Sequence, residues 1–179
     1  MKEIEVKAVV RDKDQLIAKL TQLGVALGES VVQDDIVFAE DVASFTKFIP
    51  NANFLRLRTQ GGQTILTYKR SEANELSSTE HETVISNPDE MTAIIQQLGF
   101  MEAVRVNKTR RRGRYRDFEI CLDEVGGLGI FIELEKLVDN GDVLVIQEEL
   151  FQFLESLGIS RDDQVTQGYD TLMKIKNTQ

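Results

Sequence analysis

The chain has 179 residues, 41% of them hydrophobic and 28% charged, with a net charge of −9. That length allows one domain of good size, taken as residues 1–179, and a core needing no disulfide or metal to hold it. The acidic balance argues against a general nucleic-acid or anionic-membrane binder, and a lone cysteine, Cys121, excludes an intrachain disulfide or a multi-thiolate zinc site.

The first element is a strand, Glu3-Ile4-Glu5-Val6-Lys7. Alternation puts Glu3, Glu5 and Lys7 on one face and Ile4, Val6 and Ala8 on the other. No signal-peptide pattern precedes it and no apolar run reaches membrane-span length, so a soluble cytoplasmic protein without a membrane partner is expected. Leu16, Ile17, Leu20 and Leu23 then fall at helical spacing, with Gly24 as the stop. Residues 30–38 read as a strand and residues 39–52 as a long loop with a helical turn near Phe45.

Asn53 to Thr59 is a strand with Arg56 and Arg58 on one face and Leu55 and Leu57 on the other. Gly61-Gly62 turns it into a second arm, Gln63 to Arg70, where Ile65, Thr67 and Lys69 share a face. Residues 71–78 read as a mobile polar connection, followed by a strand from Thr79 to Ser86 carrying Glu80 and Glu82. Asn87-Pro88-Asp89-Glu90 has the N-cap, first-turn proline and acid of a helix start. Met91, Ile94, Ile95 and Leu98 give its buried stripe, and Gly99 ends it. Strands follow at 103–116 and 117–124, with a turn near Gly113, and Gly126-Gly127 leads into a strand from Leu128 to Val138. A third helix carries Ile146, Leu150, Phe153, Leu154 and Leu157, and Val165, Tyr169, Leu172 and Met173 suggest a short last one. Three times a Glu-x-Glu strand precedes a helix ending in Leu-Gly, a weak internal repeat. About eight strands joined mostly by short turns suit an α+β fold: a closed antiparallel barrel with helices packed outside.

The apolar strand faces need the helices, so the charged faces must look into the barrel. The inward set is Glu3, Glu5, Lys7, Arg56, Arg58, Lys69, Glu80, Glu82, Lys108, Arg110, Asp123, Glu133 and Glu135. The bland alternative, a solvated strand face, is preferred for the distal Arg114 and Arg116 of the Lys108–Arg116 run. A tunnel with this many buried charges is costly unless filled. A polyphosphate matches the cations, and Mg²⁺ or Mn²⁺ matches hard carboxylate oxygens while bridging phosphates. There is no Walker or Rossmann glycine signature and no Gly-x-Ser-x-Gly elbow. His81 reads as a satisfied structural histidine and Cys121 as a small buried residue.

The Glu3-x-Glu5-x-Lys7 strand resembles the signature of the CYTH superfamily, which groups class IV adenylyl cyclases with thiamine triphosphatases and related triphosphate tunnel enzymes. Leu55-Arg56-Leu57-Arg58, Thr67-Tyr68-Lys69, Lys108-Thr109-Arg110, Asp123 and Glu133-Leu134-Glu135 follow in that family's order. The resemblance implies an eight-stranded antiparallel tunnel in which Arg56, Arg58, Lys69, Lys108 and Arg110 grip phosphates and Lys7 assists. It implies that Asp123, Glu133 and Glu135 hold one metal and Glu3 and Glu5 a second. Glu5 and Lys7 are the catalytic candidates, since a carboxylate or an unprotonated lysine could take a proton. Gly168-Tyr169-Asp170-Thr171-Leu172-Met173 resembles a Ser-Tyr-x-x-Leu-Leu ending of the cyclase-like group, with glycine in place of serine.

The implied activity is conversion of ATP to cyclic AMP and pyrophosphate, assisted by Mg²⁺ or Mn²⁺. The alternative sends water to the γ-phosphorus of tripolyphosphate, thiamine triphosphate or a nucleoside triphosphate. A non-catalytic polyphosphate sensor and an RNA face on Arg110–Arg116 are weaker readings. A homodimer is compatible with the resemblance, and the base would sit at one tunnel mouth, near the 39–52 loop or the final helix.

Overall fold

The computed structural model describes residues 2–178. Eight strands pair antiparallel: β1 (Lys2–Val9), β2 (Val31–Ala39), β3 (Asn53–Gln60), β4 (Gln63–Ser71), β5 (Ser77–Ile85), β6 (Met101–Tyr115), β7 (Phe118–Val125) and β8 (Gly129–Val138). Their order is β5-β4-β3-β2-β6-β7-β8-β1, and β1 also meets β5, so the sheet closes into the expected barrel. At the closure Glu3 lies opposite Ser78 and Ile4 opposite Ser77, and the Glu5 N–H donates to the Leu76 carbonyl at 3.0 Å. Further along β1, a two-residue strand β9 (Gln164–Val165) pairs with Lys7 and Ala8. Closure leaves few unpaired backbone groups, which is what allows so polar an interior to stay folded.

Four helices lie outside the barrel: α1 (Lys13–Gln22), α2 (Pro88–Gln97), α3 (Val143–Ser156) and α4 (Tyr169–Thr178). Asp12, Asn87 and Asp142 accept the first N–H groups of α1, α2 and α3. These three helices end alike, a leucine C-cap followed by a glycine at positive φ: Gly24, Gly99 and Gly158. That conformation favours glycine because it has no Cβ to clash. The threefold Leu-Gly repeat is therefore a repeated strand–helix unit with a common stop.

Alternation assigns the faces. The outward side chains of β1, β7 and β8, among them Val6, Ala8, Ile120, Leu122, Ile132 and Leu134, pack under Leu16 and Leu20 of α1 and Leu150, Phe151 and Leu154 of α3. Phe38 and Leu57 pack under Ile95 of α2. Helix α4 covers one end of the barrel instead. There the inward residues Val37, Val104, Val106, Val125 and Phe131 close over Tyr169 and Met173. Fully burying a side chain of this kind stabilises by about 1.5–3 kcal/mol, and here the same contacts decide which end of the tunnel is shut by apolar groups.

Two expectations need correcting. The β6–β7 turn is at Arg116-Asp117, with Arg116 at φ 53°, and not near Gly113. Gly113 lies within β6, where a Cβ would stand 2.9 Å from Val25 Cγ1 and 3.1 Å from the Ala26 carbonyl oxygen. The glycine serves a close approach by the chain leaving α1, not a turn. The 71–78 connection, expected to be mobile, is tied down. Glu72 donates its N–H to the Ser77 carbonyl, Asn74 bonds Gln147 of α3, and Leu76 is buried.

Candidate active site

The inward faces enclose a cavity of about 750 Å³. Of the thirteen side chains expected inside, all but Asp123 line it. Lys7, Arg58, Lys108, Arg110 and Glu133 are almost wholly buried. They come from β1, β3, β6 and β8 and meet because each occupies the inward parity of its strand.

Arg110 is the centre of the acidic side. Its guanidinium reaches Asp123 at 2.5 and 2.7 Å, Glu135 at 2.8 Å, and Glu133. Asp123 also accepts from Lys108 at 3.1 Å. Asp123 is thus beneath the cavity wall, fully buried, with both oxygens committed to cations. That placement anchors Lys108 and Arg110. Lys7 Nζ donates to the Gln167 carbonyl at 3.0 Å and lies 3.2 Å from Glu133 and 3.7 Å from Glu5. On the opposite wall Lys69 pairs with Glu80. Arg56 donates to Thr67 at 3.1 Å and Glu82 at 3.3 Å.

The electrostatics divide the acids. Burial disfavours the Glu133 carboxylate, but Lys7, Arg110 and Lys108 overcome it and hold the group well below the usual carboxylate range. Glu80 is likewise held down to about 2 by Lys69 and Arg56 against the effect of burial. Glu3 goes the other way, pushed up to about 9 by burial and by Glu135, Glu80 and Glu5, despite Lys69. Glu5 is pushed up to about 7, first by burial and then by Glu133. Burial and Arg110 lower Lys108 to about 8. Lys7 is moved upward, because Glu133 and Glu5 outweigh its burial.

Glu5, Glu133 and Glu135 can bring carboxylate oxygens within 4.8 Å of one another. Burial first, and neighbouring acids second, push two of the nearby carboxyls, Glu3 and Glu5, toward the protonated state, and a cation among them would favour their charged form. A hard divalent cation fits such an oxygen-only donor set.

Several lining residues escaped the sequence reading. Asp35 on β2 holds Arg58 through two 2.7 Å bonds, with both groups buried. Its only signal was the Gln33-x-Asp35 alternation, masked by the neighbouring Asp34. Tyr169, at the start of α4, faces the cavity with Lys7 Nζ 4.0 Å and Lys108 Nζ 4.7 Å from its ring centroid. Arg112 and Arg114 line the cavity too; Arg114 is exposed, as expected of a solvated position, and Arg116 is exposed and stacks on Tyr115. His81, expected as a satisfied structural histidine, is exposed beside Tyr68. Cys121 is buried as expected, and burial pushes its thiol up.

A smaller cavity of about 260 Å³ adjoins the tunnel below the 39–52 loop. Phe54, Glu75, Gly168 and Asp170 line both spaces. Phe45, Phe48 and Ile49 supply its apolar wall.

Comparison with known proteins gives the same architecture. The CYTH domain profile matches residues 1–169. A Methanocaldococcus jannaschii protein named as a candidate adenylate cyclase is 32% identical over 172 residues, 94% of this chain and 97% of that one. A Pyrococcus horikoshii protein of known structure superposes with a TM-score of 0.78 at 28% identity, covering 99% of each chain. A Hippeastrum protein, named as a candidate adenylyl cyclase and described as having a dominant triphosphatase activity, superposes with a TM-score of 0.60 at 17% identity, covering 93% of this chain and 90% of its own.

Proposed function

The chain belongs to the CYTH domain family, and on that premise we propose that it is a divalent-metal-dependent enzyme converting ATP to cyclic AMP and pyrophosphate. The observation that carries this reading is the apolar annex opening off a cation-lined tunnel. The tunnel suits three phosphates, and the annex, walled by Phe45, Phe48 and Phe54, suits an aromatic base. With the base in the annex, the ribose stands between the two spaces. Its 3′-hydroxyl then faces the α-phosphorus, the phosphorus nearest the annex, and intramolecular attack needs little further ordering.

Lys7, Arg56, Arg58, Lys69, Lys108 and Arg110 bind and orient the phosphates, and their charge offsets the charge that develops on the leaving pyrophosphate. Glu5 is the proton acceptor for the 3′-hydroxyl, since a carboxyl lifted to about 7 is matched to that task at neutral pH. Lys7, kept charged by Glu133 and Glu5, serves as a hydrogen-bond donor to phosphate oxygens and not as the base. Glu133 and Glu135, with Glu3 at the rim, would hold Mg²⁺ or Mn²⁺, which when bound supplies charge neutralisation at phosphate oxygens.

Incubation with ATP and either metal should yield cyclic AMP and pyrophosphate in equal amounts. Phosphate release from both ATP and tripolyphosphate, without cyclic AMP, would replace this with the second reading, a triphosphatase. That reading has its own support: Arg112 and Glu119, which line the cavity, are both partly exposed to solvent, and the Hippeastrum protein is described as having a dominant triphosphatase activity.

A further inference from the structure

The basic run on β6 is longer than a triphosphate needs. Lys108, Arg110, Arg112 and Arg114 occupy successive inward positions of one strand, and all four line the same cavity. Six residues of strand span about 20 Å, well beyond the reach of three linked phosphates. The two inner cations are buried and committed, Lys108 to Asp123 and Arg110 to Asp123, Glu133 and Glu135. The two outer ones are exposed and less engaged. Arg112 is half exposed, and its nearest carboxylate, Glu119, stands at 3.4 Å from Nε. Arg114 has no carboxylate within 4 Å among the described residues. Of the acids nearby, Asp117 is engaged by Lys136 at 2.7 Å.

The annex, with Phe54 and Gly168, lies toward the end shut by α4, while Arg112 and Arg114 lead away from that end toward the β6–β7 turn. A triphosphate whose head occupies the annex therefore points its terminal phosphate at Arg112. We propose that the tunnel continues past the γ-phosphate position into an extension subsite, formed by Arg112 and Arg114, that takes the further units of a linear polyphosphate of more than three phosphates. The chain is either inorganic or carried on a nucleoside. The inference rests on the triphosphate reading of the tunnel and adds the length of chain that the tunnel prefers.

Binding is measured by calorimetry at fixed ionic strength with the metal present, using tripolyphosphate, inorganic tetraphosphate, ATP and adenosine 5′-tetraphosphate. Each four-phosphate ligand should bind about five- to tenfold more tightly than its three-phosphate counterpart, as expected for new charge-assisted bonds at a partly solvated mouth. In an Arg112→Gln/Arg114→Gln variant that ratio should fall to about one, and Arg112→Lys/Arg114→Lys should restore part of it. A gain confined to the adenosine pair would assign the subsite to nucleoside polyphosphates, and a gain in both pairs to the phosphate chain as such. Equal affinity for three and four phosphates in the wild type overturns the proposal, as does a preference that survives the glutamine variant. Failure of the wild type to bind tripolyphosphate at all would instead remove the tunnel reading on which it rests.

Discussion

Arg58 shows what a single residue owes to its neighbours. Its guanidinium meets Asp35 through two bonds of 2.7 Å in a buried setting, and Arg58 together with Arg56 and Lys108 keeps the Asp35 carboxyl below its ordinary range despite its burial. Arg58→Met leaves that carboxylate buried without its partner, so urea unfolding should show a loss of about 3–5 kcal/mol. Adding Asp35→Asn to the same chain should return most of it; no recovery would mean that the arginine acts through packing alone. Glu135 is the contrasting case. It is partly exposed to the tunnel and, among the described residues, its one ion pair is with Arg110, so Glu135→Ala should reduce turnover to background while tripolyphosphate still binds. Equal losses of both would make Glu135 a structural residue. Residues such as Glu5 and Glu133 were legible in the sequence because each sits in a strand with clear alternation between charged and apolar side chains. Asp35 was not, because Asp34 beside it puts an acid on each face of β2, and only the partner across the sheet distinguishes them.

Among the elements, β6 carries both the phosphate-binding side chains and the close contact with the segment after α1. Gly28 donates its N–H to the Arg112 carbonyl at 2.8 Å, and Arg111 donates to the carbonyls of Leu27 and Gly28 on the outer side. Gly113 leaves room for that crossing. Gly113→Ala puts a methyl into Val25 and Ala26, and should cost about 1–3 kcal/mol of stability by overpacking, seen as a lower melting temperature. An unchanged melting temperature would show that the 25–28 segment yields. The same glycine misled the sequence reading. A glycine in a strand run signals either a turn or a close backbone approach, and local pattern cannot choose between them when the approaching segment is about ninety residues away in sequence. The 71–78 connection failed for a related reason: its polar composition suggests mobility, but its partners, Gln147 on α3 and Gly168 before α4, become visible only after the chain has closed on itself.

At the scale of the molecule, the barrel gathers acids faster than it can neutralise them, and stability should depend on pH accordingly. Glu3 and Glu5 are raised in the folded state to about 9 and about 7, above an unfolded value near 4.5. The folded chain therefore binds more protons than the unfolded one between those values, and the associated stability, full below about pH 4.5, is lost as pH rises through about 7 and on toward 9. Burial and then Arg110 lower Lys108 to about 8, a contribution of opposite sign that begins near pH 8. Glu80 and Glu133, depressed by their cations, lose their share only below about pH 4.5. The window from about pH 5 to 8 thus isolates the two raised acids, and the ligand-free protein should melt at progressively lower temperature across it. Glu3→Gln should flatten that slope, and a metal ion held by the carboxylate corner should flatten it too, by keeping those groups ionised in the fold. Tripolyphosphate with Mg²⁺ should in addition raise the melting temperature by mass action, about 2.7 kcal/mol of stabilisation at a hundredfold excess over Kd. A free protein that grows more stable from pH 5 to 8 would mean that the cations already balance the tunnel, leaving no surplus charge for a metal to satisfy.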